Sequence, residues 1–245
     1  MRSTSTSDLY LLVNTQLRIT PDADPTPLWR RMKALEAPDW GPLRTRCARQ
    51  VEGMRLRDSG DAQGYRRFCI DELARMSDAG DDQGQWTWRY GLALAEHDDG
   101  HAERAITLLS QTLEEIRAAG LLRSHTHVAA MLACMRLELG QVPACLPQAR
   151  EALGLLRVDG ALWWMAGALA YSAFWLGRKD DAARLLGWAD ALVARRGEKP
   201  GLFFARLRAG CEARLRLNLA GARLQALLEE GARLDDTNAL RLAFD

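Results

Sequence analysis

Glycine returns along this chain at a nearly fixed interval, and that interval limits the fold more than any other feature. Gly60, Gly100, Gly140, Gly177 and Gly221 each follow a leucine- or charge-rich stretch, at separations of 40, 40, 37 and 44 residues. The two fullest copies are GHAERAITLLSQTLEEIRAAG from Gly100 and GRKDDAARLLGWADALVARRG from Gly177. Both open on polar residues, carry an alanine five positions in (Ala105, Ala182), continue through a Leu-Leu pair (Leu108-Leu109, Leu185-Leu186) and end on Gly120 or Gly197. Alanine lets two helices approach closely, and the final glycine can take the left-handed conformation that closes a helix. Arg195 and Arg196 sit favourably at the negative end of the helix dipole.

The segments between these glycines read as helices. Only six valines and four isoleucines occur, while Ala, Leu, Arg and Glu dominate, a mixture that favours helix and starves a sheet. Leu43, Cys47, Val51 and Met54 form one apolar stripe and Ala105, Leu109, Leu113 and Ile116 another, each at intervals of three or four. Such helix-turn-helix units cannot bury their apolar faces alone, so they stack. The expectation is an all-α fold, a tetratricopeptide-like right-handed superhelix of antiparallel helix pairs, or α-solenoid. Pairs are placed near 41–78, 83–119, 122–157, 161–196 and 201–234, with a short last helix over about 237–243 behind the Asp235-Asp236 cap. The period exceeds the roughly 34 residues of a strict tetratricopeptide unit, which implies longer helices or turns.

The first forty residues differ. Five of the eight prolines (Pro21, Pro25, Pro27, Pro38, Pro42) fall at or before residue 42, and none recurs until Pro143, which excludes long helices there. Helices over Ser7–Leu17 and Pro27–Leu35, with a loop over 19–26, make residues 1–40 an irregular N-terminal pair. Residues 41–245 form the helical-repeat domain. If Met1 is an authentic start the first pair is an end cap; otherwise the chain is cut from something larger.

Charge and cysteine usage narrow the function classes. Thirty-three basic against 32 acidic residues leave a formal charge of +1, so no global field draws the chain to nucleic acid or an acidic membrane. Only Lys33, Lys179 and Lys199 are lysines, which fits a GC-rich coding bias better than thirty selected arginine forks. The five cysteines (Cys47, Cys69, Cys134, Cys145, Cys211) are widely spaced in apolar runs and read as small buried hydrophobes in a reducing compartment. No uncharged apolar run is long enough to span a bilayer, and the polar start MRSTSTSD lacks a signal-peptide core. A cytoplasmic protein with neither membrane nor direct nucleic-acid contact is expected.

A catalytic reading lacks parts. The chain has no Gly-Lys-Ser/Thr phosphate loop, no GxSxG elbow, no HExxH and no CxxC, so no catalytic residue, metal site or cofactor is assigned. His97 and His101, with His125 and His127 further on, are the nearest approach to a metal set. Gly100 ends the helix between the first two, and the second two lie two apart, so neither pair shares a face. The tryptophans offer more. Trp163-Trp164 and Trp86-Trp88 are too close in sequence for every ring to face inward, so one of each set is expected to reach a groove. Trp86, Arg89, His127 and Trp164 are the candidate partner- or ligand-binding residues, since aromatic and arginine side chains hold peptides and flat ligands. Arg44, Arg46, Arg49, Arg55 and Arg57 are expected to form a solvated outer face.

Towards the C-terminus, DDAARLLGWADALVARRGEKP and then ARLRLNLAGARLQALLEEGARLDDTNALRLAFD resemble the end of large bacterial regulators. These join a winged-helix DNA-binding domain, a STAND-class ATPase and a C-terminal tetratricopeptide-like region. The likeness lies in Ala183–Leu192 and Glu230–Leu242, and the stretch LEAPDWGPLRTRCARQVEGMRLRDSGDAQGYRRFCIDELARMSDAGD is similar to the middle repeats of that family. The resemblance implies a repeat region that receives an inducer or partner protein and controls the ATPase, with no family site carried over. The function expected is therefore non-catalytic: protein–protein interaction or inducer sensing, the occupant being a protein, a peptide or a small molecule in the groove. A free-standing scaffold or adaptor is the alternative.

Overall fold

A computed structural model of the chain describes residues 26–34, 42–158, 162–196 and 202–244. Every regular element among them is an α-helix. The helix expected over Ser7–Leu17 lies outside the described residues, as does the loop over 19–26 except for Thr26, which begins α1 (Thr26–Ala34). No helix among the described residues is long and apolar enough to cross a membrane.

The repeat is finer than the forty-residue spacing implies. Helices α2 (Pro42–Asp58), α3 (Ala62–Asp78), α4 (Asp82–Asp98), α5 (Ala102–Ala118), α6 (Leu122–Glu138) and α7 (Val142–Val158) are each 17 residues long and start every 20 residues. Each turn between them is made the same way. Gly60, Gly80, Gly100, Gly120 and Gly140 take φ between +64° and +85°, and Gly177 repeats the device at +81°. At Gly100, for example, the N–H of His101 donates back to the Glu96 carbonyl at 2.8 Å, which satisfies a carbonyl left over at the helix end. Asp61 and Asp81 then cap the next helix, their Oδ1 atoms accepting from the Gly64 and Gly84 amides at 2.8 and 2.9 Å. The recurring GDAQG and GDDQG strings at residues 60 and 80 are this turn written out.

The chain divides into two compact units, Met1–Leu108 and Leu109–Asp245. In the first, α2 packs on α1 and α3, and α3 on α4. Its core is Tyr65, Cys69 and Met76 of α3 against Trp88 and Ala95 of α4, with Phe68 meeting Trp88 edge-on at 5.4 Å. Arg46, Arg49, Arg55 and Arg57 of α2 depart from the solvated face expected of them; the side chain of Arg44 lies outside the described residues. Arg46 reaches Asp81 (2.6 Å), Arg49 reaches Glu72 (3.2 Å) and Arg57 reaches Asp98 (3.5 Å), while Arg55 lies 4.5 Å over the ring of Trp29. Long guanidinium side chains cross from one helix to the next, which a face-by-face reading of a single helix does not register.

In the second unit, α8 (Trp163–Trp175) is central. It packs on α6, α7, α9 (Lys179–Arg196), α10 (Leu202–Asn218) and α12 (Asp236–Phe244). Its sequence WWMAGALAYSAFW has no charge, as a helix buried through most of its middle requires, and its alanines let the neighbours come near. Helices α6 and α10 each pack on α8. Helix α9 meets α11 (Gly221–Ala232) at backbone distance: a β-carbon on Gly187 would overlap the Leu228 carbonyl, and one on Gly231 the Arg184 carbonyl. Gly187 lies within Ala183–Leu192 and Gly231 within Glu230–Leu242.

The last helix buries Ala239 and Ala243 and is also held by polar contacts. Asp235 caps it at the Asn238 amide (2.8 Å), and the fully buried Trp188 donates its indole N–H to Asp236 (3.1 Å). Arg178 donates to the carbonyls of Leu242 and Ala243. Arg157 reaches Thr237 at 3.3 Å, and Arg150 lies 4.9 Å over the ring of Phe244.

Candidate functional site

The second unit gathers aromatic rings from three packed helices. Helix α8 opens on Trp163-Trp164 and α10 on Leu202-Phe203-Phe204, so Leu-Trp-Trp at 162 and Leu-Phe-Phe at 202 recur 40 residues apart. Equivalent helix starts thereby place equivalent rings side by side. Trp164 stands 5.3 Å from Phe204 and 5.8 Å from Trp163, and His127 of α6 meets Trp164 edge-on at 4.7 Å. Trp163, Trp164 and Phe204 are half-buried and His127 is exposed, so the rings form a continuous strip with one side open. Edge-to-face contacts of His127 and Trp163 with Trp164 favour this gathering of rings.

Behind the strip is a small apolar cavity of about 30 Å³, walled by Gly167, Ala168, Ala189, Val193 and Leu207 together with the rings. Its polar lining includes an ion pair. The guanidinium of Arg208 grips Asp190 in a fork, Nε and Nη2 each 2.7 Å from a carboxylate oxygen, and its Nη1 bonds Glu212. These hydrogen bonds, that of Asp190 first, hold the Arg208 pKa above its ordinary value. Burial pushes Glu212 upward, yet the bonds from Arg208 and Arg216 prevail and keep its carboxyl below the usual range. The fork fixes Arg208 against α9, so its aliphatic stem serves as cavity wall.

The sequence-derived set divides. His127 and Trp164 touch in the second unit, while Trp86 and Arg89 belong to the first. Trp86 is 7% exposed and Trp88 3%, so neither ring of that couple lies open, contrary to the geometric expectation. An i, i+2 couple buries both rings where its helix is covered on more than one side. Arg89 is half-buried and donates to Gln85 at 3.3 Å. Trp163 entered the sequence reading only as the neighbour of Trp164, and Phe204 and the Arg208–Asp190 fork were not singled out; the forty-residue recurrence of Leu-aromatic-aromatic was the available signal.

His97 lies 3.7 Å from Asp98, and His101, beyond the Gly100 turn, lies 3.3 Å from Glu96; among the described residues no three His, Cys, Asp or Glu side chains form a metal-binding group. The side chain of His125 lies outside the described residues. Cys69, Cys134, Cys145 and Cys211 are free and buried. Burial pushes the thiols of Cys69 and Cys211 up to about 12 and raises those of Cys134 and Cys145, the reverse of what a nucleophile needs. Glu96, 2% exposed, is the most enclosed carboxylate and is met by Arg66 at 2.8 Å and Arg104 at 3.6 Å. Its surroundings are those of a structural ion pair.

No protein-family model, no curated protein and no solved structure matches this chain.

Proposed function

We propose that the chain is a non-catalytic, tetratricopeptide-like binding module whose stacked helix pairs present the His127–Trp164–Phe204 strip to a peptide, a partner protein or a small-molecule inducer. The observation that carries this reading is the aromatic strip itself: three rings from α6, α8 and α10, in contact with one another and partly open. Solvated aromatic surface is costly to maintain and is what recognition surfaces use. The module acts as the regulatory part of a bacterial signal-transduction ATPase and transcriptional regulator. Support for that assignment comes from Ala183–Leu192 and Glu230–Leu242, which fall on α9 and on α11 with α12 and contribute Gly187 and Gly231 to one close helix crossing.

A thermal-shift screen of metabolites and peptide pools tests the reading, run in parallel on the wild type and on Trp164→Ala. At least one compound is expected to raise the wild-type midpoint and to lose that effect in the variant. A screen in which nothing stabilises the wild type, or in which the variant responds equally, overturns it.

A further inference from the structure

The small cavity behind the aromatic strip narrows what the strip can hold. Pockets that enclose small molecules run to about 300–1,000 Å³. This one measures about 30 Å³, room for about two groups the size of a water molecule. It takes the tip of a side chain and not a whole ligand. Whatever carries that tip lies outside, across the half-buried rings of Trp163, Trp164 and Phe204 that border the cavity.

Gly167 keeps the room open. A β-carbon there would meet only Cβ of Arg208, at 3.9 Å, so no neighbour demands a glycine, although alanine favours a helix interior by about 1 kcal/mol. Ala168 and Ala189, both buried and small, form part of the same wall.

Charge decides the character of the tip. Aromatic rings attract cations, but the Arg208 guanidinium in the cavity wall opposes one. Asp190 opposes an anion, and the two charges cancel, since both carboxylate oxygens accept from that guanidinium at 2.7 Å. An ion entering this apolar space would also lose its hydration with no partner to replace it. The group that fits is uncharged, apolar and about two methyls in size, which describes the branched end of an aliphatic side chain. We infer that the cavity is the anchor pocket for a leucine-type side chain of a polypeptide segment lying across the Trp164–Phe204 rings. This rests on the reading of the strip as a binding surface, and it selects a polypeptide over a small molecule as the occupant.

Titration of the full chain with blocked alanine pentapeptides carrying leucine, lysine, glutamate or tryptophan at the centre tests this. The readout is NMR of the indole N–H signals of Trp163 and Trp164, assigned through Trp163→Phe and Trp164→Phe. The leucine peptide is expected to shift both signals saturably, with the other three weaker by about tenfold or more. Gly167→Ala, whose methyl takes up cavity space without a clash, should weaken the leucine peptide by about fourfold, the effect of excluding one methyl group. Isoamyl alcohol, which has the same branched end and no backbone, should bind about tenfold more weakly than the leucine peptide or worse. Equal response to lysine, glutamate or tryptophan, or a leucine affinity that Gly167→Ala leaves unchanged, overturns the anchor pocket while the strip stands as a binding surface. Equal binding of isoamyl alcohol gives the site to a small molecule and likewise overturns the inference. If no probe moves either signal, the anchor and the strip fail together.

Discussion

Trp188 donates its indole N–H to Oδ1 of Asp236 at 3.1 Å, joining a fully buried side chain of α9 to the first residue of the last helix. Asp236→Ala leaves that N–H enclosed without its acceptor, at a cost of about 1–3 kcal/mol. For a chain of this size that lowers the melting midpoint by roughly 2–10 °C. Trp188→Phe combined with Asp236→Ala should cost less than the sum of the two single changes, which a double-mutant cycle by urea denaturation checks.

The crossing of α9 and α11 predicts opposite signs for the same chemical change. Gly231→Ala and Gly187→Ala each drive a methyl into a carbonyl of the facing helix and are expected to destabilise by about 3 kcal/mol or more, since backbone must move apart. Gly154 lies within α7 with open space where a β-carbon would be. Gly154→Ala should therefore stabilise by about 0.5–1 kcal/mol. Denaturation midpoints of the three variants test the contrast.

The buried ion pair of the first unit is unequal. Arg66 is 36% exposed in its side chain and Glu96 only 2%. Arg66→Met strands the carboxylate in the interior with only Arg104 at 3.6 Å and His101 at 3.3 Å beside it, and is expected to cost about 2–3 kcal/mol. Glu96→Gln leaves a guanidinium that can turn to water, and should cost clearly less. Equal losses in calorimetry would contradict this account.

Raised thiol pKa values give stability a defined alkaline limit. In the folded chain Cys69 and Cys211 titrate near 12, and Cys134 and Cys145 are also shifted up, whereas an unfolded thiol titrates near about 8.5. The folded state binds these protons more tightly, so their contribution is fully present below about pH 8.5 and is lost as pH rises towards 12. The loss per thiol is about 1.4 kcal/mol for each pH unit in that window. Urea midpoints should hold steady from pH 6 to 8 and fall steeply above 9, and native alkylation at these four cysteines should be far slower than in urea.

Much of the fold was legible in the sequence because the turns depend on a residue type that leaves a visible mark. A glycine at each left-handed turn shows in any reading, and the expected helical stretches coincide with observed helices, though Gly221 opens α11 instead of making a turn and the packing of α3 on α4 crosses an expected pair boundary. The half-period was harder to see, since Gly80 sits in a polar stretch that did not stand out beside its longer copies. Of the candidate binding residues, His127 and Trp164 come together, but Trp86 is buried. Burial of a ring in the middle of stacked helices depends on what arrives from the neighbouring pairs, and a helix taken singly shows only two faces. The Arg208–Asp190 fork was invisible for a related reason: its partners stand 18 residues apart on separate helices, with nothing in either local string to join them.

The twenty-residue beat of α2 to α7 fixes the step in which this chain can change length. Cutting at one glycine turn and rejoining at the turn forty residues on, such as Gly60 to Gly100, keeps every downstream helix facing the way it did. Losing a single helix would leave the next one running backwards, with its apolar stripe presented to water. The increment that keeps chain direction is thus two helices, forty residues of the beat.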